Sequence, residues 1–205
     1  MAQTGRDILS AAGALFRERG YGAASVSLIA REAGVAVETI YRAFGSKGNL
    51  FKAVVEATVA GGPTRADVPV EQRPAVRAVI EESDPVRQLE LYAATQPGIH
   101  RRSGPLLRAL RDVAASDPEL AALWHDLESA RLTGQGRLAG MLAERGSLRP
   151  GLNIDEARDV TWTLCSLAVY DHLVIERGWS DERYRAWLAA TLAGALLRRS
   201  AARPA

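Results

Sequence analysis

The stretch from Ser25 to Phe44 constrains the fold of this chain more than any other part of the sequence. Gly34 divides it into two short segments. In the first segment, apolar residues recur every three or four positions, which places them on one face of a helix. Gly34 supplies the left-handed backbone that ends such a helix without a steric clash. In the second segment, Ile40 and Phe44 form one apolar side. The stretch therefore predicts two short helices joined by a tight turn.

The two predicted helices differ at their first residues. Ser25 precedes the first helix, and its hydroxyl can accept a hydrogen bond from an unpaired N–H group of the first turn. Ala36 precedes the second helix and has no side-chain acceptor. We therefore expect the start of the second helix to be held less firmly.

Two helices joined by three or four residues that include Gly are typical of the helix-turn-helix unit. The second helix of that unit enters the major groove of DNA. Five residues of the second helix are predicted to face outward: Val37, Glu38, Thr39, Tyr41 and Arg42. A corner between any two packed helices has a similar pattern, so the flanking sequence has to distinguish DNA recognition from simple packing.

The composition is typical of a water-soluble globular protein, and it also bears on the cellular location. The chain has 205 residues, of which 47% are hydrophobic and 24% charged, enough for one large or two small domains. Its formal net charge is only +2, so total charge does not predict nucleic-acid binding. Residues 1–52, however, contain seven basic and four acidic side chains. The single Cys165 and the lack of a long apolar run indicate a cytoplasmic protein that is neither secreted nor membrane-spanning.

The rest of the sequence predicts further helices and no strand, so the expected fold class is all-α. Asp84-Pro85 and Asp117-Pro118 each place a capping residue before a proline, which marks a helix start. Helix breaks are predicted at 96–98 and at 103–105, where Pro and Gly occur together. Periodicity predicts one helix from Asn153 to about Glu176 and another from Ser180 to about Arg198. Their wide apolar faces suit a dimer interface as well as a core.

The N-terminal residues together resemble the TetR family of bacterial transcriptional regulators. The resemblance covers roughly residues 4–60 and rests on a set of groups in a fixed order: the helix 6–19, Gly20-Tyr21-Gly22, Ser25-Val26, Ile29-Ala30, Ala33-Gly34-Val35, Thr39-Ile40-Tyr41, Phe44 and Ser46-Lys47. It implies a DNA-binding domain at residues 4–62 and a larger helical domain for ligand binding and dimerisation at residues 63–205. It also implies a homodimer, usually a repressor, in which a small molecule lowers the affinity for DNA. The sequence itself has no paired carboxylates on one helical face, no nucleophile–base arrangement and no metal-type spacing, so no catalytic site, metal site or cofactor is expected.

The resemblance also implies which residues meet DNA. Tyr41 and Lys47 occupy positions that contact phosphates, and Ser25 both caps its helix and approaches a phosphate. Glu38 is acidic and therefore fits only at a base edge such as cytosine N4. Tyr41 packed against a neighbour, and Lys47 as a solvated surface charge, remain alternatives. The full set of predicted DNA-binding residues is Ser25, Ser27, Val37, Glu38, Thr39, Tyr41, Arg42 and Lys47.

Five residues of the larger domain are predicted to line a ligand pocket between helices: Tyr92, Trp124, Trp162, Cys165 and Tyr170. The alternative is that these side chains belong to the core or to a dimer contact. The three histidines, at 100, 125 and 172, lack the spacing of a metal site. The alternative function is an all-helical small-molecule-binding protein or enzyme that does not bind DNA.

Overall fold

A computed structural model describes residues 3–198, which form helices and contain no β-strand; an isolated bridge joins Leu148 and Leu197. The all-α prediction is confirmed. Within this range no helix is both long and apolar enough to cross a membrane. A short 3₁₀ turn spans Val70–Gln72, and a π-helical turn spans Asp171–Glu176. The α-helices are α1 Gln3–Ala23, α2 Val26–Glu32, α3 Val37–Phe44, α4 Lys47–Ala60, α5 Pro63–Ala66, α6 Pro74–Glu81, α7 Pro85–Ala114, α8 Pro118–Glu144, α9 Ile154–Leu164, α10 Leu167–Tyr170 and α11 Asp181–Leu196.

The chain forms two compact units, and each is discontinuous in sequence. The first unit combines the residues up to Val70 with Arg101–Leu127. The second combines Glu71–His100 with the residues from Glu128 onward. Helices α7 and α8 therefore contribute residues to both units. The division between residues 62 and 63 that the sequence suggests stays a prediction, and it differs from these units because residues 101–127 pack with the N-terminal helices.

The core of the first unit is built on α1 and α4. The rings of Phe16 and Phe51 meet edge to face with 5.0 Å between centroids, and Tyr21 meets Phe51 in the same way at 5.3 Å. Gly20 has a positive φ of 75°, so α1 bends there before its last turn. This bend turns the last residues of α1 and lets Tyr21 stack on Phe16.

Residues 101–127 complete the first core. The side chains of Leu106 and Leu110 on α7 are fully buried in the same cluster as those of α1 and α4. Arg102 donates hydrogen bonds to the carbonyls of Thr58 and Val59, at 3.0 Å each. Those carbonyls belong to the last turn of α4, where helix carbonyls lack partners within the helix. Arg102 therefore holds the end of α4.

The core of the second unit is centred on α11. Tyr184, Leu188, Leu192 and Leu196 follow one another at four-residue spacing and are all fully buried. They pack in one cluster with buried side chains from the adjacent parts of α7 and α8. The predicted capping residues Asp84 and Asp117 are confirmed, because their carboxylates accept N–H groups at the starts of α7 and α8.

The breaks predicted at 96–98 and 103–105 are wrong, because α7 continues through both. Pro97 and Pro105 each remove one backbone donor from the helix. The apolar side chains on either side, such as Ala93 and Leu106, are completely buried. Burial of this face outweighs the loss of the two hydrogen bonds, which is a case of tertiary packing overriding local propensity.

The single helix predicted from Asn153 to Glu176 is also wrong, because α9 ends at Leu164. Ser166 has an extended backbone, and its hydroxyl accepts the N–H of Val169, at 3.3 Å, to begin α10. Serine competes for backbone hydrogen bonds in this way and favours helix starts over helix interiors. The π-helical turn Asp171–Glu176 follows directly, so the segment after Cys165 is irregular over two turns.

Candidate nucleic-acid interface

The turn between α2 and α3 is fixed by hydrogen bonds at both ends of α2. Ser25 Oγ accepts the N–H of Leu28 at 3.2 Å, which confirms the predicted cap. At the other end, the N–H of Gly34 bonds to Arg31 O and the N–H of Val35 bonds to Ala30 O. This pair of bonds requires the left-handed backbone that Gly34 adopts, with φ of 65°. The helix-turn-helix geometry of the stretch is therefore confirmed.

The start of α3 carries no side-chain cap, as the sequence predicts. Ala36 has the extended backbone of an N-cap residue, with φ of −73° and ψ of 150°, but it offers no acceptor. The helix is held instead by Ile40, which is buried in the first core. The first turn of α3 is thus held by this packing and by the backbone hydrogen bond from Thr39 N–H to Ala36 O, at 3.0 Å.

Helix α3 carries four exposed residues, Glu38, Tyr41, Arg42 and Ala43, and the first three of them have polar side chains. Tyr41 exposes 49% of its surface, so about half of the residue is open to a partner. Val37 and Thr39 are half-buried, and Val37 packs against the first core, so it is less available than the sequence predicts. The face offers one carboxylate, one phenol and one guanidinium to a partner.

Lys47, at the first position of α4, is not a freely solvated charge. Its ammonium lies 4.3 Å from the centroid of the Tyr21 ring and donates to Gly22 O at 3.4 Å. Partial burial lowers the pKa of Lys47, and the negative charge of Glu119 opposes that shift. Burial, and then Glu119 and Asp117, raise the pKa of Tyr21. The ring of Tyr21 therefore positions Lys47, a role that the sequence missed because Tyr21 lies between two glycines.

The predicted DNA-binding residues lie on three consecutive helices, α2, α3 and α4, or at their starts. Ser25 and Ser27 are exposed at the beginning of α2. The remaining six lie on α3 and at the first residue of α4. Their roles in DNA binding stay predictions.

Four of the five predicted pocket residues lie in the second unit. The Tyr92 hydroxyl donates to Gln135 Oε1 and also interacts with Cys165. Trp162 is stacked under Arg131, whose guanidinium carbon lies 4.6 Å from the ring centroid. Trp124 packs against the core of the first unit and is not grouped with the others.

The sequence missed the polar side of α7 that faces the second core. Gln88, Tyr92, Gln96 and His100 are spaced four residues apart, and the two glutamines and His100 are at most 5% exposed. This spacing is visible in the sequence, but the predicted break at 96–98 hid it. A surface cleft of about 560 Å³ elsewhere in the second unit is lined by other residues, among them Leu148, Pro150 and Asn153.

Residues 8–54 match the model of the tetR family of bacterial regulatory proteins. These residues therefore form a TetR-type domain. The match spans α2, α3 and most of α1 and α4, so it contains the whole candidate interface. None of the curated proteins compared matches the chain.

Solved structures of regulators share the fold over almost the whole chain. FadR from Bacillus subtilis, in complex with stearoyl-CoA, is 19% identical with a TM-score of 0.67, covering 91% of this chain and 96% of that one. A proposed transcriptional regulator from Saccharomonospora viridis, in complex with choline, is 20% identical with a TM-score of 0.66, covering 97% and 100%. NalD from Pseudomonas aeruginosa, the secondary repressor of the MexAB-OprM multidrug efflux pump, is 22% identical with a TM-score of 0.64, covering 97% and 98%. With the TetR-type domain, this shared fold supports a DNA-binding transcriptional regulator.

Proposed function

We propose that this protein is a homodimeric repressor of transcription that binds a specific DNA operator and releases it when a small molecule binds. The observation that carries the proposal is the exposed face of α3, where Glu38, Tyr41 and Arg42 lie next to the positioned Lys47 of α4. Such a protein would act in the cytoplasm, where the operator is.

Some residues of the interface would contact the DNA phosphates, and others would contact the edges of the bases. Tyr41 and Lys47 would donate to phosphates, which sets the register of α3 in the major groove. Arg42 would donate to a guanine edge, and Glu38 would accept from cytosine N4. Val37, half-buried at the start of α3, would add an apolar contact to the same groove.

Ligand control would act through α4. Arg102 caps the last turn of α4, and Asp126 on α8 pairs with Lys52 of α4 at 3.6 Å. Both partners belong to helices that continue into the second unit. A ligand that favours a second arrangement of α7 and α8 would thereby shift α4, and the regulatory free energy equals the difference in DNA affinity between the two arrangements.

The structural neighbours support a small-molecule effector without naming it. FadR from Bacillus subtilis was solved with stearoyl-CoA and the Saccharomonospora viridis protein with choline. These two ligands differ in size, charge and polarity. The effector of the present chain therefore has to be inferred from its own side chains.

A gel shift separates this function from a helical ligand-binding protein or enzyme that does not bind DNA. The probe is the DNA upstream of the protein's own gene, with scrambled DNA of the same length and composition as control. We expect a shift of the upstream DNA alone, weakening steeply as salt rises, because phosphate contacts release counterions. Equal binding to both DNAs, or no shift at low salt, would refute the proposal.

A further inference from the structure

Lys47 is held in place by groups that lie outside its own helix. Its ammonium lies over the ring of Tyr21, 4.3 Å from the centroid, and donates to Gly22 O at 3.4 Å. An ammonium has three donors, and within residues 3–198 Gly22 O is the one acceptor with which this ammonium forms a hydrogen bond. The other donors are therefore available to a phosphate, although the side chain is already positioned.

The ring of Tyr21 is itself fixed by the first core. It stacks on Phe16 with 5.8 Å between centroids and meets Phe51 edge to face at 5.3 Å. A cation over the face of an aromatic ring is attracted by the ring quadrupole, and more strongly where the cation is partly desolvated. Because the ring is packed on both neighbours, it restricts the ammonium of Lys47 to one place. Less side-chain freedom is then lost when a partner binds that ammonium.

The start of α8 brings a negative charge to the same place. Leu120 is buried in the core cluster against which Tyr21 packs. The preceding residue, Glu119, is exposed, and its charge acts on both Lys47 and Tyr21. Within the described part of the chain, Glu119 and Lys47 form no direct ion pair, so the carboxylate acts at longer range and does not occupy the donors of the ammonium.

The ring and the carboxylate have opposite effects on a phosphate at Lys47. The Tyr21 ring favours the phosphate contact, because it positions the ammonium before the phosphate arrives. The carboxylate of Glu119 attracts the same ammonium and repels the phosphate, so it opposes the contact. Repulsion between exposed charges is screened by salt, so this opposition is strongest at low ionic strength.

We propose that Tyr21 and Glu119 are positioning residues that together set the strength of the contact between Lys47 and a DNA phosphate. This inference rests on the proposed function, because the partner is the phosphate backbone of DNA. Glu119 lies in the first turn of α8, and α8 continues into the second unit. A movement of that turn away from Lys47 therefore strengthens DNA binding, and a movement towards Lys47 weakens it.

Nuclear magnetic resonance of the full chain without DNA tests the ring contact. Lys47 and Lys52 are the two lysines of the chain, so isotopic labelling of lysine side chains gives one signal for Lys47 and one for an internal control. A ring current shifts protons over the ring face upfield. We expect the ε-protons of Lys47 upfield of those of Lys52, a difference that Tyr21→Phe keeps and Tyr21→Leu loses. Equal shifts in the wild type would exclude the ring contact.

The same signals report the charge of Glu119. Its carboxylate raises the pKa of Lys47, against the effect of burial. Glu119→Gln should therefore lower the pKa of Lys47, while the Lys52 signal titrates as in the wild type. Glu144→Gln is the matched control, because it makes the same change at an exposed position at the other end of α8, and it should alter neither signal. An unchanged titration of Lys47 in Glu119→Gln would contradict the assignment.

DNA affinity tests the consequence of the ring contact, with the upstream DNA of the gel shift as the probe. Tyr21→Leu should bind about fivefold more weakly, because the ammonium is no longer held, whereas Tyr21→Phe should bind normally. In a Lys47→Ala background, Tyr21→Leu should change the affinity by less than about twofold, because the ring acts through Lys47. The same loss with and without Lys47 would show that Tyr21 has only a structural role.

Glu119→Gln tests the role of α8 at an exposed position, so its result does not depend on the packing of the core. This variant should bind the upstream DNA about threefold more tightly at low salt, and the gain should fade as salt rises. Glu144→Gln should bind like the wild type. Unchanged or weaker binding by Glu119→Gln would overturn the proposal.

The outcomes separate this inference from the proposed function, because the resonance experiments contain no DNA. If the lysine signals behave as expected but the gel shift fails, the positions of Lys47 and Glu119 stand and the repressor function falls. If the gel shift succeeds but the Tyr21 and Glu119 variants bind DNA like the wild type, the repressor function stands and this inference is wrong.

Discussion

Lys47 and Lys52 are the two lysines of the chain, and they make a matched pair on one helix. Lys47 lies over the Tyr21 ring at the start of α4, whereas Lys52 pairs with Asp126. We predict that Lys47→Ala lowers the slope of log affinity against log salt concentration by about one, because one phosphate contact is lost. Lys52→Ala should leave that slope unchanged. Equal slopes for the wild type and both variants would remove Lys47 from the interface.

The buried thiol of Cys165 should make the folded protein less stable at alkaline pH. Burial raises its pKa from 9.0 in the unfolded chain to about 12 in the folded one. Between these values the unfolded thiol loses its proton and the folded thiol keeps it, so the folded state loses stability as pH rises through this window. By about pH 10 this contribution reaches about 1 kcal/mol.

The measurement is urea unfolding of the wild type and of Cys165→Ala at about pH 8 and about pH 10. Cys165→Ala should start less stable because it leaves a small cavity, but it should lose about 1 kcal/mol less over this interval. Tyr92 and Tyr184 also have raised pKa values, and Cys165 contributes to both shifts, so part of the difference between the two proteins acts through these tyrosines. Equal losses in the two proteins would show that the thiol is not shielded.

Among the helices, α3 lacks a side-chain cap at its start, so adding one should stabilise the protein. Ala36 already has the backbone of an N-cap residue, so Ala36→Ser adds an acceptor without changing the backbone. A serine cap in place of alanine stabilises a helix by about 1 kcal/mol. We expect Ala36→Ser to raise the free energy of unfolding by that amount. Ala43→Ser, at an exposed position inside the same helix, is the matched control and should lower it by a few tenths of a kcal/mol.

Helix starts were predictable from the sequence where a side chain caps them. Ser25, Asp84 and Asp117 carry the acceptor themselves, so the signal is local. The helix interiors were less predictable. Pro97 is a local signal for a break, but the burial of the apolar face of α7 is a tertiary effect that overrides it. The break after Leu164 contains neither Gly nor Pro, so its local signal is limited to Ser166, which caps the next helix.

The candidate DNA interface could be predicted where it depends on residues that are close together in the sequence. The face of α3 follows from spacing alone, because Ile40 fixes which side is buried. The position of Lys47 over Tyr21 depends on the bend at Gly20, which periodicity does not reveal. The hydrogen bond from Tyr92 to Gln135 joins residues more than forty positions apart, so only the folded chain brings these side chains together.

For the whole molecule, the sequence suggests a boundary near residue 62, whereas the compact units are discontinuous. Composition and Gly-Pro signals describe the chain locally, and the packing of residues 101–127 on the N-terminal helices is a contact across a long sequence separation. Arg102 makes this visible, since it caps the last turn of a helix more than forty residues earlier.

If the protein is a homodimer, its two subunits fix the distance between the two half-sites of the operator. Two copies of α3 enter successive major grooves only if they lie about 34–36 Å apart, so the operator should contain two inverted half-sites about one helical turn apart, centre to centre. Once footprinting has located the operator, about five base pairs are inserted between the half-sites. The second half-site then faces the opposite side of the duplex, and affinity should fall to that of a single half-site. The control inserts the same base pairs outside the operator and should bind normally. If insertion between the half-sites leaves the affinity unchanged, each subunit binds DNA independently and the dimeric mode is wrong.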